Sequence, residues 1–521
     1  MEIFNHTKSL SAVLRIAILG LAFVVLFIGC SETIDQKTKE SPKMKMTTEI
    51  PEGISTPDKL ETSIGTLTSF DGVPDKKTTQ IVYDNLDLQR AVQAYLSTIQ
   101  VASMYAMEKG MTEFGPANKT VLLFEDLMDS KALWLTPNTV SIYMGCWMEL
   151  GDEPMVIETP PNVLGFVDDA WFQYVVDFGN AGPDRGLGGK FLILPPGYEG
   201  KVPDGYFVAK SQTYGNWVVW RGFQVNGSTE PAVTATKEKF KLYPLSKADN
   251  PPQMNFINIS GKFNNTIHRM DYGFWEELNS QIQAEPINGL EPEVRGLLAS
   301  IGIEKGKEFS PDPRMKKILT DAANIAAVTA RSLTARPRDK RFYVYDDRIW
   351  TNPFIEGHYD FMLDGARLLD SRIYMHFYAT GITPAMAIRN VGKGSQYLIA
   401  YLDKNEDALD GSKIYKVHLP PNVPAKDFWS FTLYDNQTRA MLQTDQRFPG
   451  LDNLGKGDKA VKQNNDGSFD IYFAPEAPQD LDNNWIQTVP SKGYNIIFRL
   501  YGPLESFYDQ TWKPSNPELV D

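Results

Sequence analysis

The side chains that could do chemistry in this chain are few and widely spaced. It has five histidines. His6 lies in the amino-terminal segment, while His358 and His376 flank or sit on one expected helix. They are eighteen residues apart, about five helical turns, so a straight helix cannot bring both to one metal. The sequence has no GxSxG, no phosphate-binding glycine loop, no HExxH and no paired CxxC. The nucleophile-elbow, phosphate-loop and common zinc readings therefore lack support, and we expect no metal and no cofactor. Asp403-Lys404-Asn405-Glu406-Asp407 with Asp410-Gly411 is oxygen-rich like a calcium loop. Ala408 stands where such a loop needs glycine and Ile414 where it needs glutamate, so a turn between strands is the better reading. Asn464-Asn465-Asp466-Gly467 is likewise a hairpin turn first.

Two arginines sit inside apolar runs, Arg221 in VVWRGF and Arg499 in IIFRLYG. A buried guanidinium must find a partner or a ligand. Asp177, closing WFQYVVDFG, is the acceptor candidate for Arg221. The choice is between an internal ion pair and an arginine that clamps an anion. Trp217, Trp220, Trp429 and Trp485 could form a sugar- or apolar-binding face, with core packing the competing role for each. Asp177, Arg221, Tyr143, Trp429, His358 and His376 are the candidate ligand-binding residues; no catalytic residue declares itself. Cys146, between Gly145 and Trp147, reads as a small buried hydrophobe.

The elements that position these groups follow from periodicity. The 521 residues suggest several domains, and 42% hydrophobic with 12% aromatic residues is globular. A net charge of −13 argues against a nucleic-acid partner. Residues 1–29 read as a signal peptide, with Lys8 and Arg15 before the apolar run Ile16 to Ile28. Residues 30–75 read as a flexible tether. Residues 76–260 read as an amphipathic helix, Asp87 to Met111, followed by short strands: Val140 to Leu150, Ala170 to Phe178, Lys190 to Leu194 and Asn216 to Val225. Residues 261–385 read as helical. One helix starts at Ser310-Pro311 and buries Met315, Ile318, Ala322, Ile325 and Thr329; another spans Asp360 to Thr380 and is ended by Gly381. The basic run Arg336 to Arg341 between them reads as solvated charge at a helix end, with anionic lipid as the alternative. Residues 386–521 return to strands: Ser395 to Tyr401, Ile414 to Leu419, Phe428 to Asp435, Ser468 to Phe473 and Tyr494 to Tyr501. Within YKVHLPPNVPAKDFWSFTLY, Trp429, Phe431 and Leu433 share one face and Phe428, Ser430, Thr432 and Tyr434 the other. Phe431 should pack against the strand Tyr494 to Tyr501, with His418 turned away from Val417 and Leu419.

The segment Phe27-Ile28-Gly29-Cys30 resembles the bacterial lipoprotein cleavage box, apart from Phe27 where leucine is usual. The resemblance implies lipidation of Cys30 and anchoring to, rather than spanning of, a membrane. Ser31 then favours the outer over the inner membrane. TPNTVSIYMGCWMEL, FLILPPGYEGKVPDGYFV and VVWRGF resemble the domain-of-unknown-function family 1254. DALDGSKIYKVHLP, DFWSFTLYD, NNDGS, NNW, FRLYGP and WKP resemble family 1214. The pairing implies a multidomain, mainly β chain with an α-helical middle: an immunoglobulin-like β-sandwich, a helical domain and a jelly-roll β-sandwich. It brings no established reaction. Family 1254 commonly carries an acidic residue where this chain has Val140, so any role of that carboxylate is missing here.

Three functions stay open. The first is a cell-envelope lipoprotein binding a small molecule or glycan in a cleft. The second is an envelope enzyme using Asp, His or Tyr in acid–base chemistry. The third is a structural envelope protein.

Overall fold

A computed structural model of the protein describes residues 43–51, 53–455 and 460–520. The expected signal peptide and Cys30 lie outside the described residues. The described residues divide into two compact units, one ending at Thr78 and one beginning at Thr79.

In the first unit, Lys59–Thr62, Gly65–Phe70 and Val73–Pro74 form a three-stranded antiparallel meander. It lies inside the span read as a tether. Asp71 and Gly72, at φ 49° and 81°, make the turn between the last two strands. Alternating threonines supply the β-propensity. The Asp75 carboxylate accepts the Thr78 N–H at 2.7 Å, capping the long helix Lys76–Thr112.

That helix extends the expected Asp87 to Met111 at its amino-terminal end. Ala91, Ala94, Tyr95 and Ile99 pack with Phe274, Trp275 and Leu278 of the helix Gly273–Ala284 and with the helix Pro313–Ala335. Two details of the helical reading change. Asp312, not Ser310, caps Pro313–Ala335, accepting the Met315 N–H at 2.8 Å, and Pro313 takes the first helical position. The buried face is Leu319, Ala322, Ala323, Ala326 and Ala330, whereas Ile325 is 45% exposed. Small residues let neighbouring helices approach closely, and the Trp275 indole donates to the Leu319 carbonyl at 2.9 Å.

The expected helix Asp360 to Thr380 is shorter, Leu369–Tyr378. The hairpin Met362–Leu363 with Ala366–Arg367 precedes it, turning on Asp364 and Gly365 at φ 50° and 78°. Both central residues lie in the left-handed region, the signature of an Asp-Gly hairpin turn. Gly381 follows at φ 84°, where a Cβ would also meet the Phe166 ring at 2.6 Å.

Two β-rich layers accompany the helices, and no sheet among the described residues closes into a barrel. In the first, a six-stranded sheet runs Asn255–Asn258, Thr120–Leu123, Ile142–Glu149, Gly215–Gly222, Leu164–Asp169 and Tyr174–Gly179. A four-stranded sheet, Phe207–Lys210, Lys190–Leu194, Met155–Glu158 and Lys241–Pro244, shares its core. In the second layer, Ser395–Ala400, Tyr494–Pro503, Ala425–Asp435 and Gly450–Asp452 form one sheet. It shares a core with Trp485–Gln487, Phe469–Ala474, Tyr415–Leu419 and Glu518–Leu519. The carboxy-terminal strands fall within a few residues of their expected ends.

The two-residue strand period decides what each face does. Ile142, Met144, Cys146, Val218 and Trp220 point into the first core. Trp147, Trp217, Val219 and Tyr143 point to the opposite side, where they join a second cluster. In the other layer Trp429, Phe431, Leu433, Ile496, Phe498 and Leu500 form the core. Tyr434 and Ile497, on the reverse face, join the same second cluster as Trp217. The outward faces of the two main sheets thus meet each other, which is why every residue of Tyr494–Pro503 is buried.

Candidate functional site

A cavity of about 100 Å³ lies where these outward faces meet, roofed by the helix Leu369–Tyr378 through Met375 and Tyr378. A water needs only ~10–15 Å³ of such volume, so the space exceeds a single water site. It adjoins an outer pocket of about 720 Å³. Leu164, Asp177, Arg221, Ala385, Gly394 and Ser395 line both spaces. The inner walls are aromatic: Trp217 packs edge-on to Trp134 and Phe166, with ring centroids 6.1 and 5.7 Å away.

Arg221 is half-buried at the junction of inner and outer spaces. Its register opposite Tyr143 and Leu164 turns it to the cavity face of Gly215–Gly222. The expected ion pair with Asp177 does not form: Asp177 Oδ1 accepts the Thr383 hydroxyl at 2.7 Å instead. Around the Arg221 guanidinium stand Tyr143, Tyr397, Tyr501 and a second cation, Arg499. Among the described residues nothing hydrogen-bonds or ion-pairs with the Arg221 side chain.

Arg499 has a different arrangement. Its Nη2 donates to the Thr136 carbonyl at 2.8 Å and to the Tyr434 hydroxyl at 2.7 Å, and Nη1 donates to Thr432 at 3.3 Å. The Tyr434 hydroxyl in turn donates to the Pro137 carbonyl. Arg499 therefore joins the two layers through neutral oxygens and keeps its full charge beside the cavity. An arginine does not deprotonate at these sites.

Other donors are set around Arg221. The Tyr143 hydroxyl accepts the Asn138 backbone N–H at 3.3 Å and its side-chain amide at 3.1 Å, leaving its own proton free to donate. Asn138 is fixed because its Oδ1 accepts Val140 N–H, Ser141 N–H and the Ser141 hydroxyl. Val140 thus serves the turn through its backbone, and no side-chain oxygen is needed there. The Trp217 Nε1, Thr380 Oγ1 and Tyr501 hydroxyl are buried with no hydrogen-bond partner among the described residues. Each buried polar atom without a partner calls for a water, an ion or a ligand to complete it.

Asp177 supplies the cavity's titratable group. Burial pushes its carboxyl up to about 6, against the pull of hydrogen bonds from Thr383 and Tyr174. Its neighbour Asp168 is fully buried, accepts the Ile382 N–H at 2.8 Å and is held well above the usual carboxylate range by burial.

Of the remaining candidates Trp220 also borders the junction cavity, and the others lie elsewhere. Trp429 is core: its ring meets Phe469, Phe431 and Phe498 at 5.3, 6.0 and 6.1 Å. Trp220 stacks on Phe240 at 4.2 Å, and Trp485 donates to the Ala474 carbonyl. His376 is buried on the other side of the roofing helix, and half-exposed His358 lies 4.0 Å from Asp360. Asp403 Oδ1 accepts the Asn405 and Asp407 N–H groups, so it serves its own turn. No group of three metal-ligating side chains occurs among the described residues. Asn138, Ser395, Tyr397, Tyr501 and Thr380 were not foreseen as site residues. The apolar alternation around Arg499 and Tyr501 was visible, but which reverse face would be covered depended on the other layer.

Residues 119–244 match the model of a protein of unknown function, DUF1254, and residues 394–505 match a second, DUF1214. The two matches follow one another in that order along the chain. The DUF1254 segment contributes Tyr143, Asp177, Trp217 and Arg221 to the cavity; the DUF1214 segment contributes Ser395, Tyr397, Ile497 and Arg499. The cavity is therefore built by both. The VPA0106 protein from Vibrio parahaemolyticus has a crystal structure similar to this chain, with 18% identity and a TM-score of 0.50, covering 84% of this chain and 100% of that one. At that identity the likeness speaks for the fold alone. An uncharacterized protein from Burkholderia cenocepacia aligns with 12% identity and a TM-score of 0.36, over 85% of this chain and 97% of its own. No curated protein matches.

Proposed function

We propose that this chain is a binding protein of the bacterial cell envelope that holds a small molecule at the junction of its two β-rich layers. One observation carries the reading: Arg221 stands in an aromatic-walled cavity beside a second cation and has no partner among the described residues. An unpaired, partly desolvated guanidinium is costly unless water or a ligand completes it. The ligand that suits it has an anionic or strongly hydrogen-bond-accepting head for Arg221, Tyr143 and Tyr501. Its apolar or sugar-like body would lie against Trp134, Trp217 and Phe166. In this reading the DUF1254 layer is an immunoglobulin-like sandwich and the DUF1214 layer a jelly roll, which the two-sheet layout of each supports.

Thermal-shift screening of the purified protein against sugars and small acids tests the binding. Hits are expected to raise the wild-type midpoint. Arg221→Met is expected to bind them about 10- to 100-fold more weakly, the loss of a charged hydrogen bond. Equal affinity in Arg221→Met would sink the reading.

Asp177 favours a second reading, an enzyme. A carboxyl that titrates near 6 inside a ligand-sized cavity is suited to general acid–base work. Its test is whether Asp177→Asn leaves intact a ligand that the wild type alters.

The envelope placement rests on the Gly29-Cys30 cleavage box. No helix among the described residues is long and apolar enough to cross a membrane. Metabolic labelling with a fatty-acid analogue is expected to mark the wild type and leave Cys30→Ser unlabelled. Equal labelling of both would contradict lipidation at this cysteine.

A further inference from the structure

The helix Leu369–Tyr378 is a partition. Met375 and Tyr378 line the junction cavity on one side. Arg372 and His376, one turn apart, line a separate cavity of about 370 Å³ on the other. Its walls include Trp171, Phe172, Tyr174, Tyr359 and Phe361. The His376 ring lies 4.7 Å from Phe172 and 5.3 Å from Phe361.

Arg372 is only 8% exposed, yet no described residue hydrogen-bonds or ion-pairs with its guanidinium. Three more buried nitrogens at this cavity have no partner among the described residues: Trp171 Nε1, His376 Nδ1 and Arg367 Nε. The rest of the Arg367 guanidinium is engaged, by the Glu291 carboxylate and the Asp360 carbonyl. The acidic groups here are therefore occupied. Glu291 is held by Arg367, and Asp360, at the exposed rim, accepts the Met362 N–H at 3.1 Å. Burial, reinforced by Arg372 and Arg367, drives His376 down to about 3 and keeps its ring neutral. What remains is one uncompensated cation among unsatisfied nitrogens, in a space far larger than a bare ion and walled by rings.

We propose that this cavity is a second ligand site, taking a small organic carboxylate, with Arg372 as its counter-ion and the aromatic walls covering its body. A planar guanidinium matches a carboxylate in charge and geometry. The site is independent of the junction cavity.

The test uses calorimetry and thermal shift on the full-length protein with benzoate, phenylacetate and hexanoate, each against its neutral amide, and with inorganic phosphate. At least one carboxylate is expected to bind and its amide to bind at least about 10-fold more weakly. Arg372→Met is expected to lose that binding, and Arg221→Met to keep it. The ligand-free Arg372→Met protein is expected to melt no lower than wild type, because an unpaired buried cation has been removed. Equal binding of acid and amide, binding of phosphate alone, or no binding at all would overturn the proposal. Loss in Arg221→Met with retention in Arg372→Met would place the acid in the junction cavity, overturning this inference while leaving the junction reading intact. A lower melting point for ligand-free Arg372→Met would make Arg372 structural and overturn it too.

Discussion

Phe431→Ala is expected to cost about 3–5 kcal/mol of unfolding free energy, the usual range for emptying a buried phenylalanine site. Phe431 is fully buried, pairs in register with Phe498 and stacks on it at 4.5 Å with the rings 19° apart. Phe473, from the facing sheet, meets it edge-on at 5.8 Å. The ring therefore joins both sheets of the carboxy-terminal layer, and few neighbours can move in to fill its place. Its control is His418, two-fifths exposed on the outward face of Tyr415–Leu419, with Nδ1 at 2.8 Å from Asp470 Oδ1. Lys416 lies 3.7 Å from the same oxygen and remains there when the histidine is removed. His418→Ala is expected to cost no more than about 1 kcal/mol, as for other surface pairs. Denaturant melts of both variants check this; equal costs would mean the His418 side chain carries more than a surface pair.

Asp177→Asn is expected to stabilise the protein at pH 8 and not at pH 4. An unfolded carboxyl titrates near 3.8, whereas burial raises the folded one to about 6. Between those values the folded state binds the extra proton. Wild-type stability contributed by this group is therefore present below about pH 4, is lost as pH rises through about 6, and does not return above it. Asparagine never ionises and keeps the oxygen that accepts the Thr383 hydroxyl. The gain at pH 8 is expected to be about 1–3 kcal/mol, given 1.36 kcal/mol per unit of pKa. Urea melts of both proteins at pH 4, 6 and 8 read it, and a gap that does not change with pH would contradict the raised pKa. The same variant separates binder from enzyme. A ligand recovered chemically altered from wild type and intact from Asp177→Asn establishes catalysis, and recovery intact from both establishes binding alone.

The strand–helix–strand order was legible because its signals are local. Trp429, Phe431 and Leu433 alternate with Ser430 and Thr432, and that period survives in the observed core. Helix ends were less legible where two patterns overlapped. Ser310-Pro311 and Asp312-Pro313 offer the same cap two residues apart, and the second prevailed. Leu369–Tyr378 was harder still. Nearly every residue of it is buried, so its polar face carries no solvent signature, and Arg372 passed unnoticed beside His376. The candidate site was legible in its parts. Arg221, Asp177 and Tyr143 do line one cavity. The partner assigned to Arg221 was not legible, because Thr383 claims the Asp177 oxygen from 206 residues away in sequence. Trp429 illustrates the converse: a tryptophan on an alternating strand is equally suited to core or cleft, and only the facing sheet decides.

We propose that Arg221 anchors a ligand between the two layers. The most direct measurement is a crystal structure of the wild-type protein with a screened ligand whose affinity falls in Arg221→Met. The ligand's anionic or accepting group is expected within hydrogen-bond distance of the Arg221 guanidinium, with its body against Trp134, Trp217 and Phe166. Such a ligand seated elsewhere, with the junction cavity empty and Arg221 unchanged, would contradict it.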